Sequence, residues 1–386
     1  MKMFDVYSVY NVELVKGQGA YVYDKAGNKY LDFYGGHAVI SVGHTHPHYV
    51  RRLTEQIEKL AFYSNSVVNT LQDQLAEKLA EVSGVAGYDL FLVNSGAEAN
   101  ENALKLASFG NGRSKIIALK NGFHGRTSAA VNATDNHKIQ AALNKGFEVE
   151  HHDIDNAESI ISSIKKGDAC AVIVEAIQGI GGMDCISAET LTKISATCKE
   201  HNTALILDEV QAGYGRSGTF FAYEIADIKP DIISMAKGMG NGFPIGGLLI
   251  NQESYEAKPG MLGTTFGGNH LACVAGLAVL EVIEKENLIH NSKHLGEQIA
   301  NEIKEITEVK QLKGRGLMIG AEFDFPIKEL RKHLVHNHQL FTGSSKNPNM
   351  LRLLPPLNIN PSHADEFIEK LKAGIYSYTN KIAPVS

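Results

Sequence analysis

Between positions 89 and 250 the chain repeats one pattern: a short apolar run, a few small or polar residues, then an amphipathic stretch. The apolar runs are "DLFLVNS", "KIIALK", "FEVEHH", "ACAVIVEAI", "ALILDEV" and "DIISMAK". Most lack the strict alternation of a half-exposed strand, which predicts strands covered on both faces. Between them, "AEANENALKLASF", "NAESIISSIKK" and "SAETLTKISATCKEH" predict helices, the second capped by Asn156 and the third opening at Ser187–Thr190. Strand–helix alternation of this kind implies α/β architecture with a mainly parallel, doubly wound sheet. After Gly267 the pattern changes to long helices, "LACVAGLAVLEVIEKEN" and "HLGEQIANEIKEI", and then to a mixed α+β tail. The expected organisation is a large domain over 46–270, a smaller domain over 271–386, and an N-terminal segment, 1–45, packing with the smaller one. No internal repeat interrupts this pattern.

Composition narrows the function classes. The 386 residues are 44% hydrophobic and 21% charged with a net charge of −6, and basic residues are not pooled, which argues against nucleic acid as a partner. Cys170, Cys185, Cys198 and Cys273 show no CxxC spacing, which argues against a zinc site or a disulfide framework. The opening "MKMFDVYSVYNVELV" lacks the apolar core and cleavage site of a leader, and no apolar run reaches the roughly 18 residues of a membrane span. A soluble, cytoplasmic protein is expected.

In open α/β sheets ligands sit at the carboxyl ends of the strands. Past "DLFLV" comes "NSGAEAN", small residues that open a helix and can present N–H groups to a phosphate. Past the next apolar runs come Glu175 and Asp208, carboxylates that are costly at a buried strand end without a partner. Past "DIISMA" comes Lys237, followed by a glycine-rich turn. Each has a plain alternative: a tight loop, a carboxylate paired with an arginine or helix end, a lysine whose stem reaches to solvent. Together, a phosphate cradle, a buried aspartate and a buried lysine are the parts a pyridoxal phosphate site needs. The lysine would form a Schiff base with the cofactor aldehyde, and the aspartate would keep the pyridine nitrogen protonated. Phe123 and Val210 offer apolar partners for the ring.

The segments "LFLVNSGAEANENALKLA", "GFHGRT", "LILDEVQAGYGRSG", "SMAKGMGNGFPIGG", "TFGGNHLAC" and "RGLMIG" resemble, in order and spacing, the class III pyridoxal-phosphate aminotransferases. "LDFYGGHAVISVGHTHP" and "NMLRLLPPLNI" extend the likeness almost to both ends, and the chain is most similar to the acetylornithine and succinylornithine subgroup. The resemblance implies the fold-type I transferase fold. It makes Lys237 the Schiff-base lysine and proton carrier, Asp208 the partner of the pyridine nitrogen, and Gln211 a contact to the phenolic oxygen. Ser95, Gly96 and Ala97 would bind the phosphate, joined by Thr265 of the second subunit of a homodimer. Phe123 and Val210 would cover the two ring faces, Glu175 would lie near ring and substrate, and Arg126 and Arg352 would grip substrate carboxylates. The implied reaction moves the δ-amino group of N-acylornithine to 2-oxoglutarate, a step of arginine biosynthesis. Ornithine, 4-aminobutyrate or lysine-derived amines are the alternative donors.

Two positions depart from the family pattern. Ile180 in "GIGG" stands where relatives carry a glutamate that pairs with the second arginine, so Arg352 is expected to have no acidic neighbour from that loop, a charge that favours a succinylated donor. His37 in "FYGGHAV" stands where relatives carry other residues and is a candidate substrate contact. A metal hydrolase is the rival, because "GHTHPH" places His44, His46 and His48 at alternate positions, although Pro47 breaks a strand there. A non-enzymatic binding protein is the other rival, and an intact Lys237 argues against it.

Overall fold

The computed structural model describes residues 1–382. Strands are numbered in chain order. β1 (Leu14–Gln18), β2 (Tyr21–Asp24) and β3 (Lys29–Asp32) form an antiparallel ribbon. β4 (Tyr88–Val93), β5 (Lys115–Leu119), β6 (Val149–His152), β7 (Ala169–Val174), β8 (Ala204–Asp208), β9 (Ile232–Met235) and β10 (Gly246–Asn251) build a seven-stranded sheet ordered β4-β10-β9-β8-β7-β5-β6. β6, β5, β7, β8 and β9 pair in parallel, and β10 runs antiparallel to both β9 and β4. The expected mainly parallel sheet is therefore present, and all six apolar runs are strands in it.

Pleating distributes the runs between two cores. Ile117, Leu119, Val172, Val174, Leu205, Leu207, Ile233 and Met235 enter one buried cluster. Their neighbours Ile116, Ala118, Ala171, Ile173, Ile206 and Ile232 enter another, against Ala99, Ala103 and Leu104 of the Gly96–Asn111 helix. Successive side chains of a strand point to opposite faces, so continuous apolar runs mark strands buried on both sides. The caps also follow the sequence. Asn156 accepts from Ser159 N to open Ala157–Ile164, and Ser187 accepts from Thr190 N to open Ala188–Glu200.

The remaining strands are β11 (Val309–Arg315), β12 (Met318–Phe323), β13 (Leu340–Phe341), β14 (Gly343–Ser344) and β15 (Met350–Leu353). β11-β12-β15-β14 form a second antiparallel sheet, while β13 pairs in parallel with β3 and so joins chain segments some three hundred residues apart. The "GHTHP" histidines do not converge. His44 Nε2 lies 2.8 Å from Asp32, His46 Nε2 lies 2.9 Å from Glu286, and His48 meets Glu281, so each ring takes a different carboxylate. Pro47 opens the Pro47–Ile57 helix, where its missing N–H costs nothing. Among the described residues no helix is long and apolar enough to cross a membrane.

Candidate active site

Four strand ends meet at one cavity of about 370 Å³. Past β4, Ser95 caps the Gly96–Asn111 helix by accepting from Glu98 N at 3.2 Å, while Glu98 accepts from Asn94 N at 2.7 Å. These two bonds fix the turn and leave the first N–H groups of a sixteen-residue helix at the cavity wall, a place suited to an anion. Gly96 is required by packing: a Cβ there would stand 2.6 Å from Val210 Cγ1.

Past β8, Asp208 is 4% exposed and held through both carboxylate oxygens. Its Oδ2 accepts from Asn100 Nδ2 at 2.7 Å and faces His124 Nδ1 at 2.8 Å, and its Oδ1 accepts from Val210 N at 3.0 Å. Asn100 is held in turn by Ser234 Oγ at 2.6 Å. Burial opposes a charge on His124, but the bond to Asp208 and its negative charge prevail and raise the imidazole pKa above its ordinary value. Past β7, Glu175 accepts from Phe123 N at 2.9 Å and Gly179 N at 3.0 Å, tying together the two loops that flank the cavity. Burial pushes its carboxyl up to about 6 against the pull of His124.

Past β9, Lys237 begins a short 3₁₀ turn with φ of +46°, a backbone conformation that costs a non-glycine residue roughly 1–2 kcal/mol. It lines the cavity, and its amine makes no hydrogen bond or ion pair among the described residues. Burial lowers the amine's pKa, with Asp208 and Glu175 opposing and Arg352 adding to the effect. An uncommitted amine whose basicity burial lowers, beside a buried carboxylate, is suited to act as nucleophile and proton carrier.

The other expected residues divide by position. Ser95, Gly96, Ala97, Phe123, Val210, Gln211 and Arg126 line the same cavity. Arg126 is exposed and has no hydrogen-bond or ion-pair partner among the described residues. Arg352, on β15, is 1% exposed and reaches only neutral acceptors: Ser344 O, Gly179 O at 2.8 Å and Gln211 Oε1 at 3.1 Å. No carboxylate lies within ion-pair distance of it among the described residues, and burial lowers its pKa to about 10. Gln211 Nε2 donates to His37 O at 3.2 Å, so this one side chain bridges His37 and Arg352. His37 itself is exposed, and its Nε2 lies 2.6 Å from Tyr34 Oη. Thr265 is exposed and absent from the wall of its own chain's cavity.

Sequence reasoning missed Asn100 and His124, which hold Asp208, and Ser234, which holds Asn100. A signal existed: a buried carboxylate requires donors, His124 lies inside the quoted "GFHGRT", and Asn100 interrupts the apolar face of a helix that opens at the site.

Comparison with known proteins agrees with this geometry. The profile of the family described as Aminotransferase class-III matches residues 5–375. An acetylornithine aminotransferase of Bacillus subtilis (strain 168) is 40% identical over 379 residues, covering 97% of both chains. One from Archaeoglobus fulgidus is 40% identical over 373 residues, covering 95% of this chain and 96% of its own. Among solved structures, an ornithine aminotransferase from Toxoplasma gondii, described with partial occupancy of PLP at its active site, superposes with a TM-score of 0.88 at 28% identity, covering 97% of this chain and 93% of that one.

Proposed function

The chain belongs to the class III aminotransferases, and from that premise we propose that it moves the δ-amino group of an N-acylated ornithine to 2-oxoglutarate, giving the N-acyl-glutamate semialdehyde and glutamate. It is a pyridoxal-phosphate-dependent transaminase. The cavity fits that cofactor: a capped helix end for the phosphate, a buried carboxylate for the ring nitrogen and an unpartnered amine share one wall. When bound, pyridoxal phosphate supplies an aldehyde for amine condensation and a ring that accepts the electron pair released from a breaking C–H bond.

The roles of the chain's own residues follow from their surroundings. Lys237 carries the proton between substrate carbon and cofactor carbon, because its amine is uncommitted and its pKa is depressed. Asp208, clamped by Asn100 and His124, holds a proton at the ring nitrogen. Ser95, Gly96 and Ala97 receive the phosphate, Phe123 and Val210 enclose the ring, and Gln211 reaches the phenolic oxygen. Arg126 and Arg352, both without carboxylate partners among the described residues, take substrate carboxylates, with Glu175 and His37 beside them. The observation that carries the reading is Lys237, a buried-strand-end amine left without a partner among the described residues.

The active unit in this reading is a cytoplasmic homodimer serving arginine biosynthesis, each chain comprising the 46–270 and 271–386 domains with residues 1–45 packed on the latter. Exposed Phe266, next to Thr265 in the chain, and Phe62, whose ring packs on it, at 60% and 39%, form apolar surface beside Thr265, which suits a site completed by a second copy. The test is a donor panel with 2-oxoglutarate. Acylated ornithines should exceed free ornithine and 4-aminobutyrate in kcat/KM by at least about tenfold. A panel led by an unacylated donor would overturn the substrate assignment.

A further inference from the structure

We propose that His290 and His294, on the exposed face of the Leu288–Lys304 helix, form a chelating pair for a divalent transition-metal ion. Neither residue lines the cofactor cavity, so the site stands apart from the aminotransferase chemistry and does not depend on the donor assignment.

The two histidines are four residues apart on a seventeen-residue helix, which sets them one turn apart on the same face. Both are exposed, and their ring centroids lie 3.8 Å apart at an interplanar angle of 54°. Neither ring has a hydrogen-bond or ion-pair partner among the described residues. The histidines of "GHTHPH" differ on this point, because each of them already faces a carboxylate of its own. Two imidazoles at this spacing on one helix face can share a metal ion, at metal–nitrogen distances of about 2.0–2.1 Å.

The charges beside the pair leave room for a cation. Lys293 packs its stem against the loop after β8, where a Cβ on Gly218 would stand 3.2 Å from Lys293 Cβ. Glu297, three residues past His294, has no ion-pair partner among the described residues. Both line a cavity of about 460 Å³ between this helix and β11, so the cation and the carboxylate offset each other. Among the described residues no group of three His, Cys, Asp or Glu side chains could hold a metal, so two imidazoles and water make up the coordination. Such a site suits Ni²⁺, Cu²⁺ and Zn²⁺, which favour imidazole, and not Mg²⁺, which favours oxygen.

A cross-link at this place has a structural consequence. The helix starts without a side-chain cap: its N-cap, Asn287, sits in the left-handed region with φ of +50°. Its first two turns nevertheless tie distant segments together. Ser292 Oγ donates to Arg216 O at 3.0 Å and accepts from Leu317 N at 3.2 Å. Asn291 Nδ2 donates to Leu357 O and Ile359 O, both at 2.7 Å. Asn291 and Ser292 lie between the two histidines in the chain, so a metal joining His290 to His294 clamps the turn that carries these bonds. It then binds the folded chain in preference to the unfolded one and stabilises it.

The experiment titrates the holoenzyme with Ni²⁺ by isothermal calorimetry, with Mg²⁺ as the control ion, and repeats the titration on H290Q and H294Q. Native protein should bind Ni²⁺ at least about tenfold more tightly than either variant and should show no comparable uptake of Mg²⁺. Ni²⁺ should also raise the denaturant midpoint of native protein and not that of either variant, while metal-free transaminase activity stays within about twofold in all three. Equal Ni²⁺ affinity in native protein and both variants would overturn the proposal, because the ion would then be held elsewhere. Loss in only one variant would overturn it too, since a chelate needs both rings. So would Mg²⁺ binding as tight as that of Ni²⁺, or a native midpoint that bound Ni²⁺ leaves unchanged.

Discussion

Asp208 shows how much a single residue can be read and where reading stops. Its position past an apolar run identified it as a carboxylate needing partners; the partners, Asn100 and His124, come from a helix and a loop that only the fold brings near. Lys237 was legible for the same reason, whereas its left-handed backbone was not, because nothing in "SMAKGMG" distinguishes it from an ordinary strand end. If Asp208 keeps the ring nitrogen protonated, Asp208→Asn should slow both half-reactions by at least about a hundredfold while cofactor affinity falls much less. Stopped-flow half-reactions and a cofactor titration separate the two, and a variant that binds poorly but turns over normally when loaded would make Asp208 structural. Glu209 offers a pH test. It is 1% exposed, accepts from Ala222 N and Tyr223 N, and burial raises its carboxyl to about 8. A raised folded pKa means stability that is complete below the ordinary value near 4.5 and lost as pH rises through about 8. Denaturant unfolding at pH 5 and pH 9 should show the native protein losing ground to Glu209→Gln at the higher pH; a constant difference would refute the shift.

At the scale of elements, apolar runs translated directly into strands because burial on both faces removes the polar alternation that would otherwise compete. Order within the sheet was less legible: β10 returns antiparallel between β4 and β9, a pairing that no local pattern dictates. Alternate histidines suggested a shared metal by spacing alone, but Thr45 at φ of +49° and Pro47 at a helix start turn the three rings toward separate carboxylates. The helix that opens at Ser95 depends on close contact with the loop after β8. Gly96→Ala should drive its Cβ into Val210, an overpacking worth about 1–3 kcal/mol, and narrow the cavity. Cofactor dissociation should rise by about tenfold or more with little change in secondary structure by circular dichroism. Unchanged affinity would mean the helix end does not hold the phosphate.

At the scale of the whole molecule, the chain alone leaves Thr265 facing outward beside Phe266 and Phe62, whose rings lie 5.4 Å apart. The expectation that Thr265 serves a second copy came from resemblance and could not come from pattern, since an exposed threonine in a glycine-rich loop has no periodic signature. Sedimentation should find a dimer that cofactor stabilises, and Thr265→Ala should weaken cofactor binding without dissociating it. A fully active monomer would exclude shared sites. The account rests most heavily on Lys237 as the reacting amine. Borohydride reduction of the holoprotein, followed by peptide mass mapping, tests this directly, because reduction fixes the cofactor to whichever amine it is joined to. The result predicted is loss of the visible absorbance and cofactor mass on the peptide carrying Lys237 alone; the mass on any other lysine, or on none, would contradict the assignment.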